Sequence, residues 1–153
     1  MVVMHALLET WDINARINLF LLDAIPEAAI DTPLTKGKAV RSHFVHVHAV
    51  RLMWLKASAP DLHATQTKLE AGALRDEIAS GLTSSGAAIR ELVARAQTPE
   101  GRIKGFKPHA AAFVAYLVAH ESFHRAQIEL ALRQAGTPLP DKVAYGLWEW
   151  GVR

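Results

Sequence analysis

The chain contains no cysteine, and this one absence removes disulfides, thiolate metal sites and cysteine nucleophiles together. It also fits a reducing compartment, so a cytoplasmic location is the expectation. No apolar run approaches the roughly 20 residues a membrane span needs. The stretch Met1 to Trp11, carrying His5 and Glu9, lacks the basic start and clean apolar middle of a signal peptide. A soluble protein without a membrane partner is expected. Nor does one charge sign dominate, since 17 Lys and Arg against 15 Asp and Glu leave a formal +2. The basic residues are scattered: Lys36, Lys38 and Arg41 precede one periodic segment, and Arg102, Lys104 and Lys107 another. Neither group forms a helix-long stripe or interleaves with aromatics, so nucleic acid is excluded as a partner. Internal repeats, low-complexity tracts and convincing strand alternation are missing too.

What remains is helical. With 153 residues, half of them apolar, the chain suits one domain, 1–153, able to bury a core without staples. Leu7, Trp11, Asn14, Asn18, Leu21 and Ile25 recur at three- and four-residue steps, predicting a first helix that ends near Pro26 to Ile30. Asn14 and Asn18 fall on or beside its buried stripe; such amides need partners, and a bond to a neighbouring helix is the favoured one. A second helix is predicted from about Lys38 to Ser58, stopped by Pro60. An extended connection, Leu62 to Gly72, leads to a third helix that begins either at a Thr67–Glu70 capping box or nearer Ala73, with Ile78, Leu82, Ser85, Ile89 and Leu92 inward. The fourth runs from Pro108 to Ala135, with Phe113, Tyr116, Leu117, His120, Phe123, His124, Gln127 and Ala131 as its inner stripe and Gly136 as its stop. Trp148 and Trp150 in the tail, Leu139 to Arg153, should be docked. The expected architecture is an all-α four-helix bundle with a long connection between helices two and three and a docked C-terminal tail.

The chemistry concentrates in His120-Glu121-Ser122-Phe123-His124. Helix positions four apart lie about 40° apart around the axis, so the two imidazoles share a face and supply half of a divalent-metal site. The string also matches the H-E-x-x-H pattern of zinc peptidases, in which Glu121 would activate water. That reading ranks last. No histidine follows His124, Glu149 is a poor third ligand between two tryptophans, and no sheet exists to position a peptide. Glu121 sits about 100° from His120 and is free to face solvent or another helix. A bundle asks instead for a third ligand from a facing helix. The second helix offers His43, His46 and His48; His46 and His48 diverge by about 200° and cannot both serve, and the pattern favours His46. Three neutral imidazoles leave coordination positions open, as catalytic sites do. Gln127, one turn beyond His124, is either a packing amide or an orienting group for a ligand, and Arg125 reads as structural.

Three stretches in order resemble the DinB (DinB/YfiT-like) superfamily. They are His46-Val47-His48-Ala49-Val50-Arg51-Leu52-Met53-Trp54, then His120 to Ile128 continuing to Leu132-Arg133-Gln134-Ala135-Gly136, and the tail Leu139-Pro140-Asp141 through Gly146-Leu147-Trp148-Glu149-Trp150. The resemblance covers nearly the whole chain. It implies a four-helix bundle, commonly a homodimer, holding a divalent metal (Zn, Ni or Fe) through three histidines, here His46, His120 and His124. It also implies a metal-dependent enzyme on a small-molecule substrate: a transferase joining a low-molecular-weight thiol to that substrate, or a hydrolase. A non-catalytic metal- or ligand-binding dimer module is the alternative. No residue outside the trio is assigned a catalytic role.

Overall fold

The computed structural model describes residues 2–153; Met1, with which the expected domain begins, lies outside them. The described residues form six helices: α1 Val2–Ala24, α2 Val40–Ser58, α3 Pro60–His63, α4 Arg75–Ala94, α5 Ala110–Gln134 and α6 Asp141–Gly146. They contain no strand, only isolated bridges between Pro33 and Ala39 and between Arg102 and His109. The two short helices were not expected. Pro60 ends α2 as anticipated, but it also opens the single turn of α3, where its missing N–H costs nothing.

Helix boundaries follow local chemistry. The backbone N–H of Leu74 donates to the Glu77 carboxylate at 2.7 Å, which starts α4 at Arg75 rather than near Ala73. α5 starts two residues later than Pro108 because the His109 side chain caps it, Nδ1 accepting from the Ala112 N–H at 3.1 Å. It ends at Gly136 in the left-handed region (φ 78°), with the Thr137 N–H returning to the Leu132 carbonyl at 3.0 Å.

α1 and α2 each pack against both α4 and α5. Two apolar clusters divide the interior. One joins Ile17 to Ile30, Val40 to Val47, Ile78, Leu82, and Ile128 to Leu132; the other joins Met4 to Trp11, Leu55, Ala88 to Val93, and Ala110 to Leu117. α1 and α5 therefore run one way, α2 and α4 the other, and the chain between Ala59 and Leu74 crosses the length of the molecule. Each fully buried aliphatic or aromatic side chain in these clusters contributes about 1.5–3 kcal/mol.

Between the two clusters lies a polar layer: Asn14, Asn18, His48, Arg51, Ser85, Glu121, His124 and Arg125, all buried. At the chain end Leu147 is buried, the Arg16 guanidinium donates to the Arg153 carbonyl at 2.9 Å, and the Arg153 guanidinium sits 3.8 Å over the Phe20 ring. Trp150 packs on the first cluster, whereas Trp148 is 79% exposed, contrary to the expectation for both tryptophans.

Candidate metal centre

The middle of α2 faces the middle of α5, and there the polar layer reaches the surface. His46 from α2 meets His120 and His124 from α5, with one donor nitrogen of each within 4.8 Å of the others. His124 is buried and the other two are half-buried. The Nε2 atoms of His120 and His124 lie 3.1 Å apart. Two nitrogens bound at 2.0–2.1 Å around a tetrahedral ion would stand about 3.3–3.4 Å apart, so the pair is close to ligand spacing. The His46 ring approaches from the other helix, its centroid 4.7 Å from His124 and 5.4 Å from His120.

All three imidazoles are held neutral. Burial pushes the His124 pKa down to about 4, aided by the neighbouring histidines and by Lys38. Burial likewise lowers His46 and His120, with the Lys38 charge adding to both and Glu121 opposing at His120. Neutral imidazole is the form that offers a lone pair to a cation. His120 Nδ1 and His43 Nε2 are buried without hydrogen-bond partners. The donor set and its protonation fit a divalent ion with borderline-soft preference, Zn, Ni or Fe among them.

His46 and His48 separate as helix geometry requires. His48 turns to the opposite side of α2, where Nδ1 lies 3.1 Å from Ser85 Oγ and Nε2 lies 2.8 Å from the Thr67 carbonyl. With both nitrogens committed it cannot be a ligand. A cavity of about 530 Å³ lies on that side, lined by His48, Gln66, Leu69, Asp76 and Ser80 among others, and includes none of the trio. His43 does reach the site, but behind His124: the two Nδ1 atoms are 2.9 Å apart. Gln127 is half-buried and its side chain makes no hydrogen bond among the described residues.

Glu121 is fully buried and is neither a solvent-facing residue nor a base beside the trio. Its Oε1 accepts from Arg51 Nε at 2.7 Å, and its Oε2 from Arg51 Nη2 at 2.9 Å and from the amides of Asn14 and Asn18, each at 2.7 Å. The Asn14 and Asn18 carbonyls in turn accept from Arg125 Nη1 at 3.0 and 2.7 Å. Burial alone would raise the Glu121 pKa, but the Arg51 charge and these four bonds outweigh it and hold it below the carboxylate range. A fully buried carboxylate held by Arg51 and two amides is out of reach of a metal-bound water, which removes the physical basis of the peptidase reading. Beside His120, Tyr116 stacks at a centroid distance of 6.5 Å and 19°, and Trp54 and Phe106 pack on Tyr116 to extend this aromatic wall.

The lowered histidines set a pH dependence. His43, His48 and His124 are all neutral in the fold where the unfolded chain already binds protons, burial being the first cause in each. The unfolded state then takes up more protons, so stability of the chelated protein falls as pH drops below about 6.5, and for His124 it keeps falling to about 4. Urea midpoints measured from pH 7.5 to 4.5 should decline steadily; a flat profile between pH 7 and 5 would contradict this electrostatic picture.

A family model described as the DinB family matches residues 1–149. No curated protein and no solved structure matches the chain.

Proposed function

The chain belongs to the DinB family, and on that footing we propose that it is a divalent-metal-binding four-helix-bundle protein, one domain with its tail docked, whose ion is held by His46, His120 and His124. The observation carrying this reading is the convergence of three neutral imidazoles from two helices within 4.8 Å. The proposed activity is a metal-dependent one on a small molecule: transfer of a low-molecular-weight thiol, or hydrolysis. A divalent ion at this position would lower the pKa of a thiol or water and polarise an electrophile. The chain's own contribution is to keep the imidazoles neutral, to leave one side open, and to offer the wall of Trp54, Phe106 and Tyr116 to the apolar part of a substrate.

One observation favours the non-catalytic binding module as a second reading. The carboxylate next in sequence to His120 is locked by Arg51 and two amides, so it supplies no general base. The readings part in a screen of the zinc-, nickel- and iron-loaded protein against thiol–electrophile pairs and small esters and amides. Turnover that chelation abolishes and metal restores supports the enzyme; tight metal binding without turnover across the screen supports the module.

We also propose that two copies pair through α5. Ala119, Phe123, Ala126 and Leu130 recur at alternating four- and three-residue steps and are all exposed. Large and small apolar residues in that register make a self-complementary helical seam, and apolar stripes of this kind are seldom left to solvent. Light scattering should give about twice the 16.8 kDa chain mass for the native protein and the single-chain mass for Phe123→Glu. A native monomer, or a Phe123→Glu dimer, would rule this face out.

A further inference from the structure

His43 was only a rival candidate ligand in the sequence, and its position in the fold gives it a different task. It lies one turn before His46 on α2 and is 4% exposed, deeper than any of the trio. Its Nδ1 stands 2.9 Å from His124 Nδ1, while His124 Nε2 points to His120. Thus His124 uses one ring nitrogen toward the candidate ion and the other toward His43. A neutral imidazole carries one proton. If Nε2 is to present a lone pair, that proton must sit on Nδ1, and a buried Nδ1–H needs an acceptor. Among the described residues the group at hydrogen-bonding distance from it is His43 Nδ1.

We infer that His43 is a positioning residue for the metal centre, accepting a hydrogen bond from His124 Nδ1–H and so fixing the tautomer and ring orientation in which His124 Nε2 is free to ligate. The inference rests on the three-histidine reading and extends it by one residue. Its corollary is a specific tautomer for His43: with Nδ1 accepting, the His43 proton lies on Nε2, which is buried and has no hydrogen-bond partner. The metal-free chain can relax this arrangement. His43 Nδ1–H can donate to His124 Nδ1, and His124 Nε2–H to His120 Nε2, which removes the buried donor at His43. The two proton arrangements differ by one shift at each ring, without a change in net charge. Metal loading should therefore move the His43 proton from Nδ1 to Nε2.

The test compares zinc affinity, by chelator competition, in the native chain, His43→Leu and His43→Asn, with far-UV dichroism of each metal-free protein to verify folding. Leu fills space without an acceptor; the Asn side-chain oxygen falls near the position of His Nδ1. Outer-shell partners of ligating histidines typically change affinity by about 10–100-fold. His43→Leu should lose about that much and His43→Asn should recover most of it. Imidazole ¹⁵N spectra should show the His43 proton on Nδ1 in the metal-free native protein and on Nε2 after zinc is added. Zinc binding by His43→Leu as tight as native, equal weakening in both variants, or a His43 tautomer indifferent to zinc would each overturn the inference while leaving the trio intact. A native chain that takes up no zinc would overturn the three-histidine reading itself, and this inference with it.

Discussion

Glu121→Ala is expected to cost about 3–5 kcal/mol of folding stability, the range found when one partner of a buried ion pair is removed. Total stabilities are about 5–15 kcal/mol, so the variant should be marginal or unfolded. The cause lies in what remains. Arg51 is 1% exposed, and without Glu121 its charge keeps only the Leu82 carbonyl at 3.0 Å, the Ser85 hydroxyl at 3.3 Å and the face of Trp11 at 4.9 Å. The amides of Asn14 and Asn18 lose their acceptor at the same time. Glu121→Gln keeps the shape but leaves Arg51 unneutralised, so it too should unfold at a lower urea concentration than native. Replacing both members, Arg51→Met with Glu121→Leu, should be less damaging than Glu121→Ala, because no unpaired charge is buried. A peptidase base would behave in the opposite way: Glu121→Gln would abolish activity and leave the urea midpoint unchanged. That result would reverse the assignment.

The second large effect concerns metal affinity. His124→Ala should weaken zinc binding at least about a hundredfold, since a four-ligand zinc site yields about 10–16 kcal/mol and one ligand in four is worth roughly 3 kcal/mol of that. Metal-free stability should change far less than in Glu121→Ala. His124 is held neutral against its ordinary pKa and makes its hydrogen bonds only to other imidazoles, so its removal relieves as well as it disrupts. His120→Ala and His46→Ala should follow the same pattern. His5→Ala, an exposed substitution on α1, serves as the unaffected control. Chelator competition together with urea unfolding separates the two quantities. Loss of affinity that tracks loss of stability would mean the trio acts through the fold and not as ligands.

The long helices and the histidine trio were legible because both depend on helical period. The 200° divergence of positions two apart was enough to send His46 and His48 to opposite sides of α2. The inner stripe of α5 was less legible. Tyr116 and Phe123 are expected inward and Glu121 toward solvent or another helix, yet Phe123 is 58% exposed and Glu121 is fully buried. Hydrophobic pattern ranks a carboxylate by its cost of burial alone. It does not count the forked guanidinium of Arg51 and the two α1 amides that offset that cost, because those partners lie 70 and more residues away in sequence. Asn14 and Asn18 were the available signal, two amides on a buried stripe that required partners on another helix. The role of His43 depends on how α2 crosses α5; its trace in the sequence was a place on the apolar stripe with Val40 and Val47, three residues before His46. α3 and α6 span one or two turns, too short for periodicity to register, although a proline stands at the start of each.

The proposed function stands on one ion held between two helices by three imidazoles. Zinc K-edge absorption spectroscopy on the reconstituted native protein tests it directly. The prediction is a first shell containing three imidazole nitrogens at about 2.0–2.1 Å plus light-atom scatterers from solvent. A shell with one imidazole or none, or a protein that retains no zinc after reconstitution, would contradict it.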